Sequence, residues 1–176
     1  MNKLAQLAIK IRNRFQKPEM HIPRQTVSYE KAKNIGILFL AEEKEAQKAI
    51  NKFVVDLQKE GKNLQMLTFI EKITNNPYYF SYHTITNNDV SNLGKINSLD
   101  VEHFINTRFD YLYCIVAEPF PLYDGIMQKS QAKCRIGRYF DGQEENYELM
   151  ISLDKEAGIE QFIEEMMVFM RGLKAT

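Results

Sequence analysis

The spacing of apolar residues changes character along this chain, and each change predicts an element. In residues 1–17, Leu4, Leu7, Ala8, Ile11 and Phe15 recur at the interval of one helical face. At roughly 100° per residue, Lys3, Lys10, Arg14 and Lys17 gather in a separate stripe about 60° wide, which makes the helix basic and amphipathic. Pro18 ends it, because the residue before a proline is pushed out of the α region. Residues 18–33, with Pro18 and Pro23, read as a linker. From residue 34 the pattern alternates. Residues 35–41 (IGILFLA) are an unbroken apolar run, the mark of a strand buried on both faces. Residues 42–62 return to helical spacing through Ala46, Ile50, Phe53, Val54 and Leu57, and Gly61 fits a C-terminal cap. Further strands are predicted at 64–70, 83–86, 109–117, 134–140 and 147–153. Helices are predicted after Ser98, which caps a first turn holding Asp100 and Glu102, at 122–132 behind Pro121, and at 158–173.

Strand–helix alternation with apolar strands predicts a single α/β domain over 34–176, built on a doubly wound, mostly parallel, Rossmann-like sheet of five or six strands. Only DGQEEN separates the last two predicted strands. A parallel pair ordinarily needs a crossover of about a dozen residues, so one antiparallel edge strand is expected there.

Composition adds little, but charge adds more. No apolar run approaches the roughly 20 residues of a bilayer span. Cys114 and Cys134 belong to no metal or redox motif and read as buried thiols of a reducing, cytoplasmic setting. Lys plus Arg is 23 and Asp plus Glu is 23, yet the zero is unevenly spread. Residues 1–33 carry eight bases against Glu19 and Glu30, a net of +6, which leaves −6 for the rest. A basic head on an acidic body points to contact with a polyanion or an acidic surface.

Ligands of doubly wound sheets bind at the carboxyl ends of the strands. After the first strand the chain reads Ala41-Glu42-Glu43-Lys44-Glu45, with no glycine to let a backbone approach a pyrophosphate and with carboxylates where a phosphate would sit. No nucleotide or other cofactor is therefore expected. Glu42, Glu43, Glu118 and Asp124 form an acidic candidate crevice, and Arg138 is placed to hold an anionic group if it emerges at a strand end. Tyr79 and its aromatic neighbours, with His83, are candidates for stacking a sugar or base. Each of these residues also has an ordinary structural role open to it.

The stretches NIGILFLA, LQKEGKNLQMLTFIEK, DVSNLGKINS, FDYLYCIVA with PFPL, and AKCRIGRY with YELMISL resemble a group of short, uncharacterised bacterial proteins, mostly from Bacteroidota. The segment from FDYLYCIVA to AKCRIGRY is also similar to the acceptor-side Rossmann half of heptosyltransferase-like glycosyltransferases. The resemblance implies a Rossmann-like fold and supplies no functional residues.

These readings favour a non-enzymatic binding or adaptor protein. Its basic helix, through Lys3, Lys10, Arg14 and Lys17, would pack on its own domain, join a protein partner or a second copy, or meet RNA, a ribosome or an anionic membrane surface. The alternative is a small enzyme or a degenerate glycosyltransferase-like sugar-binding domain using Glu118, Asp124 and Arg138.

Overall fold

Strand β1 (Asn34–Phe39) is buried from Ile35 onward, as its unbroken apolar run requires. It pairs in parallel with β2 (Asn63–Phe69) on one side and with β4 (Tyr111–Ile115) on the other. Strands β3 (His83–Ile85), β5 (Cys134–Arg138) and β6 (Leu149–Ile151) complete a six-stranded sheet in the order β3-β2-β1-β4-β5-β6. Every pairing in it is parallel. That order, reversing between β1 and β4, is the doubly wound arrangement. The computed structural model describes residues 1, 3–15, 23–25, 27–40, 44–71, 81–91 and 93–173.

The antiparallel edge strand expected from the sequence is not there. β6 runs parallel to β5, with Ile136 opposite Leu149 and Arg138 opposite Ile151. Both strands are shorter than their apolar runs, so the connection covers residues 139–148 rather than six residues. No α-helix is needed to cover the crossover. Tyr147 lays its ring on Gly137, and the Arg135 guanidinium holds Glu145 and Glu148 beneath it.

Helices cover both faces. Helices α2 (Lys44–Lys59) and α5 (Ile159–Gly172) pack on the Ile35, Ile37, Tyr111, Tyr113 and Ile136 side. The opposite side, with Leu38, Leu67, Leu112 and Cys114, takes α3 (Leu99–Asn106) and α4 (Pro121–Lys129). Ser98 accepts from the Val101 amide at the start of α3, as the capping pattern predicts. The N-terminal helix, α1 (Lys3–Phe15), lies on α4. No helix among the described residues is long and apolar enough to cross a membrane.

Residues 27–33 are fastened to the sheet. Lys62 donates to the carbonyls of Tyr29 (2.7 Å) and Ala32 (2.8 Å), and the Tyr111 hydroxyl donates to Val27 O. Asp110 accepts from the amides of Lys33 (2.8 Å) and Asn34 (3.0 Å) and from Lys133 Nζ (2.7 Å). Burial opposes its charge, but these donors outweigh burial and hold the carboxyl below its usual range.

One buried group in the core makes a sharp prediction. The Tyr113 hydroxyl is fully buried and has no hydrogen-bond partner among the described residues, while its ring meets Phe53 edge-on at 5.6 Å. Removing an unsatisfied hydroxyl removes a desolvation cost and keeps the ring contact. Tyr113→Phe is therefore expected to be neutral or to stabilise by up to about 1 kcal/mol in urea unfolding.

Candidate functional site

Helix α1 is seated by an unexpected face. Ile9 is 2% exposed and joins the cluster formed by Leu122 and Ile126 of α4. Asn13 donates from Nδ2 to Pro121 O at 2.8 Å and lies against Gly125, where a Cβ would come within 2.7 Å of its Oδ1. The Ile9 backbone rests on Gly94, whose positive φ of 72° makes the tight turn and whose missing Cβ leaves the room. The Met1 amine pairs with Glu71 at 2.8 Å.

Leu7 and Ile11, two members of the predicted apolar stripe, face away. Each is two residues from Ile9, hence about 200° around the helix. Leu7 is 54% and Ile11 51% exposed, and Lys3 and Lys10 are exposed with them. Ile9, which the body takes, lies outside the apolar stripe that the sequence pattern showed. A single isoleucine flanked by Lys10 and Ala8 carries no periodic signal, so the seating face was not legible. Nothing is described of the Arg14 side chain, and Lys17 lies outside the described residues.

The candidate crevice residues do not converge. Along β5, Cys134 and Ile136 face α2 and α5, whereas Gly137 meets Tyr147 on the α4 side. Arg138 thus returns to the α5 face. Its guanidinium is buried and donates to the carbonyls of Ala157 (2.6 Å), Asp154 (2.7 Å) and Lys155 (3.4 Å), shaping the entry to α5. Asp124 sits on the other side of the sheet, in the first turn of α4, where it accepts from Gln143 Nε2 at 3.2 Å and feels Lys10 of α1. Glu118 is exposed in the loop after β4. His83 is exposed on β3 and pairs through Nδ1 with Asp100 at 3.1 Å. Tyr79, Glu42 and Glu43 lie outside the described residues. Among the described residues no group of three His, Cys, Asp or Glu side chains is placed to hold a metal ion.

Tyr123, which sequence reasoning did not single out, stitches the carboxyl ends of the strands. Its buried hydroxyl accepts from the Phe69 amide (2.7 Å) and donates to Phe39 O (2.8 Å), bridging the ends of β1 and β2. Phe120 stands edge-on to it at 4.9 Å and stacks near Phe69 at 5.5 Å. Aromatic side chains from the start of α4 therefore fill the ends of β1 and β2. The PFPLYDG run carried the signal, since a tyrosine in the first turn after a buried strand points back over the sheet end.

Burial pushes the Asp124 carboxyl up from 3.8 to about 6, against the Gln143 amide and Lys10. The fold therefore favours its protonated form. That contribution is whole at pH below about 4 and is lost as pH rises through about 6. Asp124→Asn is expected to raise stability by about 1–3 kcal/mol at pH 8 and by nothing measurable at pH 4. Unfolding curves at the two pH values check it. Burial likewise pushes the Cys114 and Cys134 thiols up to about 12, and the two lie on opposite faces of the sheet.

No curated protein and no solved structure matches the chain. The pattern of a family of unknown function, DUF6913, covers residues 3–173, nearly all of the architecture just described, and the chain belongs to that family.

Proposed function

We propose that this protein is a cytoplasmic, non-enzymatic binding or adaptor protein, in which the sheet and its helices are a platform and the outer face of α1 is the contact surface. The observation that carries this reading is the division of α1. Ile9 and Asn13 pin the helix, while Leu7 and Ile11 stay exposed beside Lys3 and Lys10. An apolar pair flanked by cations, held rigidly by a second stripe, gains little from the fold that carries it and suits an acidic partner surface with an apolar floor. The +6 charge of residues 1–33 favours the same partner chemistry.

Point substitutions on the outer face test this better than truncation, which would uncover α4. Leu7→Ser with Ile11→Ser is expected to leave the melting temperature within a few degrees of wild type, because exposed side chains contribute little to stability. The same double variant is expected to lose at least ten-fold in affinity for the partner, as hot-spot residues do. Retention of full binding by the double variant rejects the reading.

A second reading rests on Asp124, a carboxyl that titrates near 6 beside Lys10. It makes the segment 109–139, which resembles the acceptor side of heptosyltransferase-like glycosyltransferases, a sugar-binding remnant. Thermal shift with sugar phosphates, lost in Asp124→Asn, would support it.

A further inference from the structure

The α2–α5 layer carries a groove of about 410 Å³, lined by Phe53, Leu57, Ile163 and Met167. Its floor is apolar and its rim is mostly acidic. Asp56 stands on α2 and Glu60 in the turn just after it, with Glu160 and Glu164 on α5, against Lys52 and Arg171. Arg171 is committed to Glu60 at 2.6 Å and Asp56 to Lys59 at 3.6 Å. Glu160 and Glu164 are exposed and make no ion pair among the described residues. Val168, on the lining of the groove and 72% exposed, and Phe169, next to it in α5 and 47% exposed, extend the apolar surface outward.

We propose that this groove receives the outer face of α1 from a second copy of the chain. The inference rests on the reading of α1 as the contact surface and names its partner. Complementarity argues for it: Leu7 and Ile11 match the apolar floor, and Lys3 and Lys10 match Glu160 and Glu164. Size agrees as well. The 13 residues of α1 span about 20 Å, close to the length of the 14-residue α5 that walls the groove. An amphipathic helix read through i and i+4 anchors is the usual occupant of such a cleft.

The two halves of this contact lie on opposite faces of the sheet, α1 on the α4 side and the groove on the α5 side. The association is therefore heterologous, and copies add head to tail until a ring closes or a chain grows. Because the contact is partly electrostatic, it weakens with salt.

Sedimentation velocity on the full chain tests this, from a few micromolar to several hundred micromolar at low salt. Wild type is expected to show a mean mass that climbs with concentration. Ile11→Asp, which spoils the helix, and Val168→Asp, which spoils the groove, are each expected to stay monomeric with unchanged melting. An equimolar mixture of the two variants is expected to form a dimer and nothing larger, since each supplies the half the other lacks. A wild-type chain that stays monomeric throughout overturns the inference and leaves the α1 reading to its own binding test. Association abolished by Ile11→Asp but not by Val168→Asp overturns the groove assignment alone. A mixture that remains monomeric while wild type associates shows that the two surfaces do not receive one another and also overturns it.

Discussion

Replacing Arg135 with alanine is expected to cost about 3–5 kcal/mol of stability, as loss of one partner from a buried ion pair does. Arg135 is buried in the middle of β5, and its guanidinium makes a two-pronged contact with Glu148 (Nε to Oε2 3.0 Å, Nη2 to Oε1 2.7 Å). It also donates to Met127 O at the end of α4 (3.0 Å) and to Glu145 O in the crossover (3.1 Å). One side chain thus ties α4, β5 and the approach to β6 together. Alanine leaves two carbonyls without their donor and a half-buried carboxylate with only Arg24, 3.6 Å away, as a counter-charge. That remaining arginine should keep the loss toward the lower end of the range. Arg135→Lys should recover little, because a single ammonium cannot reproduce the planar fork. Glu148→Gln should be milder, since its oxygen still accepts. Urea midpoints with unchanged slopes would check all three. A loss below about 1 kcal/mol for Arg135→Ala would show that the crossover is held by something else.

Gly137→Ala is expected to destabilise by about 2–3 kcal/mol, the range of an overpacked core site. Nothing in the backbone of Gly137 forbids alanine, and in a strand the change alone would help by about 0.5–1 kcal/mol. The opposite sign comes from Tyr147. A Cβ on Gly137 would overlap Tyr147 Cε1 and stand 3.0 Å from Cδ1 and Cζ of the same ring. The ring is buried, so it cannot swing clear. Tyr147→Leu in the same chain should recover part of the loss, giving a non-additive double-mutant cycle. A neutral Gly137→Ala would mean the crossover can lift off β5.

These two residues also show where sequence reasoning stopped. The burial of β1 and β4 was legible because IGILFLA and FDYLYCIVA are too uniformly apolar to be anything but central parallel strands. The helical stripes of α2 and α5 were legible for the same reason, since their inward residues repeat at helical spacing. The direction of β6 was not. It depends on one arginine and one tyrosine that let a short irregular crossover do a helix's work. No local periodicity encodes such long-range contacts. The charge split singled out the head of the chain, but only the structure shows that Ile9 rather than Leu7 or Ile11 is spent on the body. For the crevice, a place at the carboxyl end of its strand suggested that Arg138 could join Asp124. The alternation of side chains in a strand sends Arg138 to the opposite face.

The most direct test of the account is site-specific photocrosslinking in living cells. A photoreactive residue is placed at position 7 or 11 on the outer face of α1, and at exposed Asn63, at the start of β2, as control. The account predicts discrete covalent adducts from 7 and 11 and none from 63. Adducts at similar yield from all three positions, or from none, would contradict it.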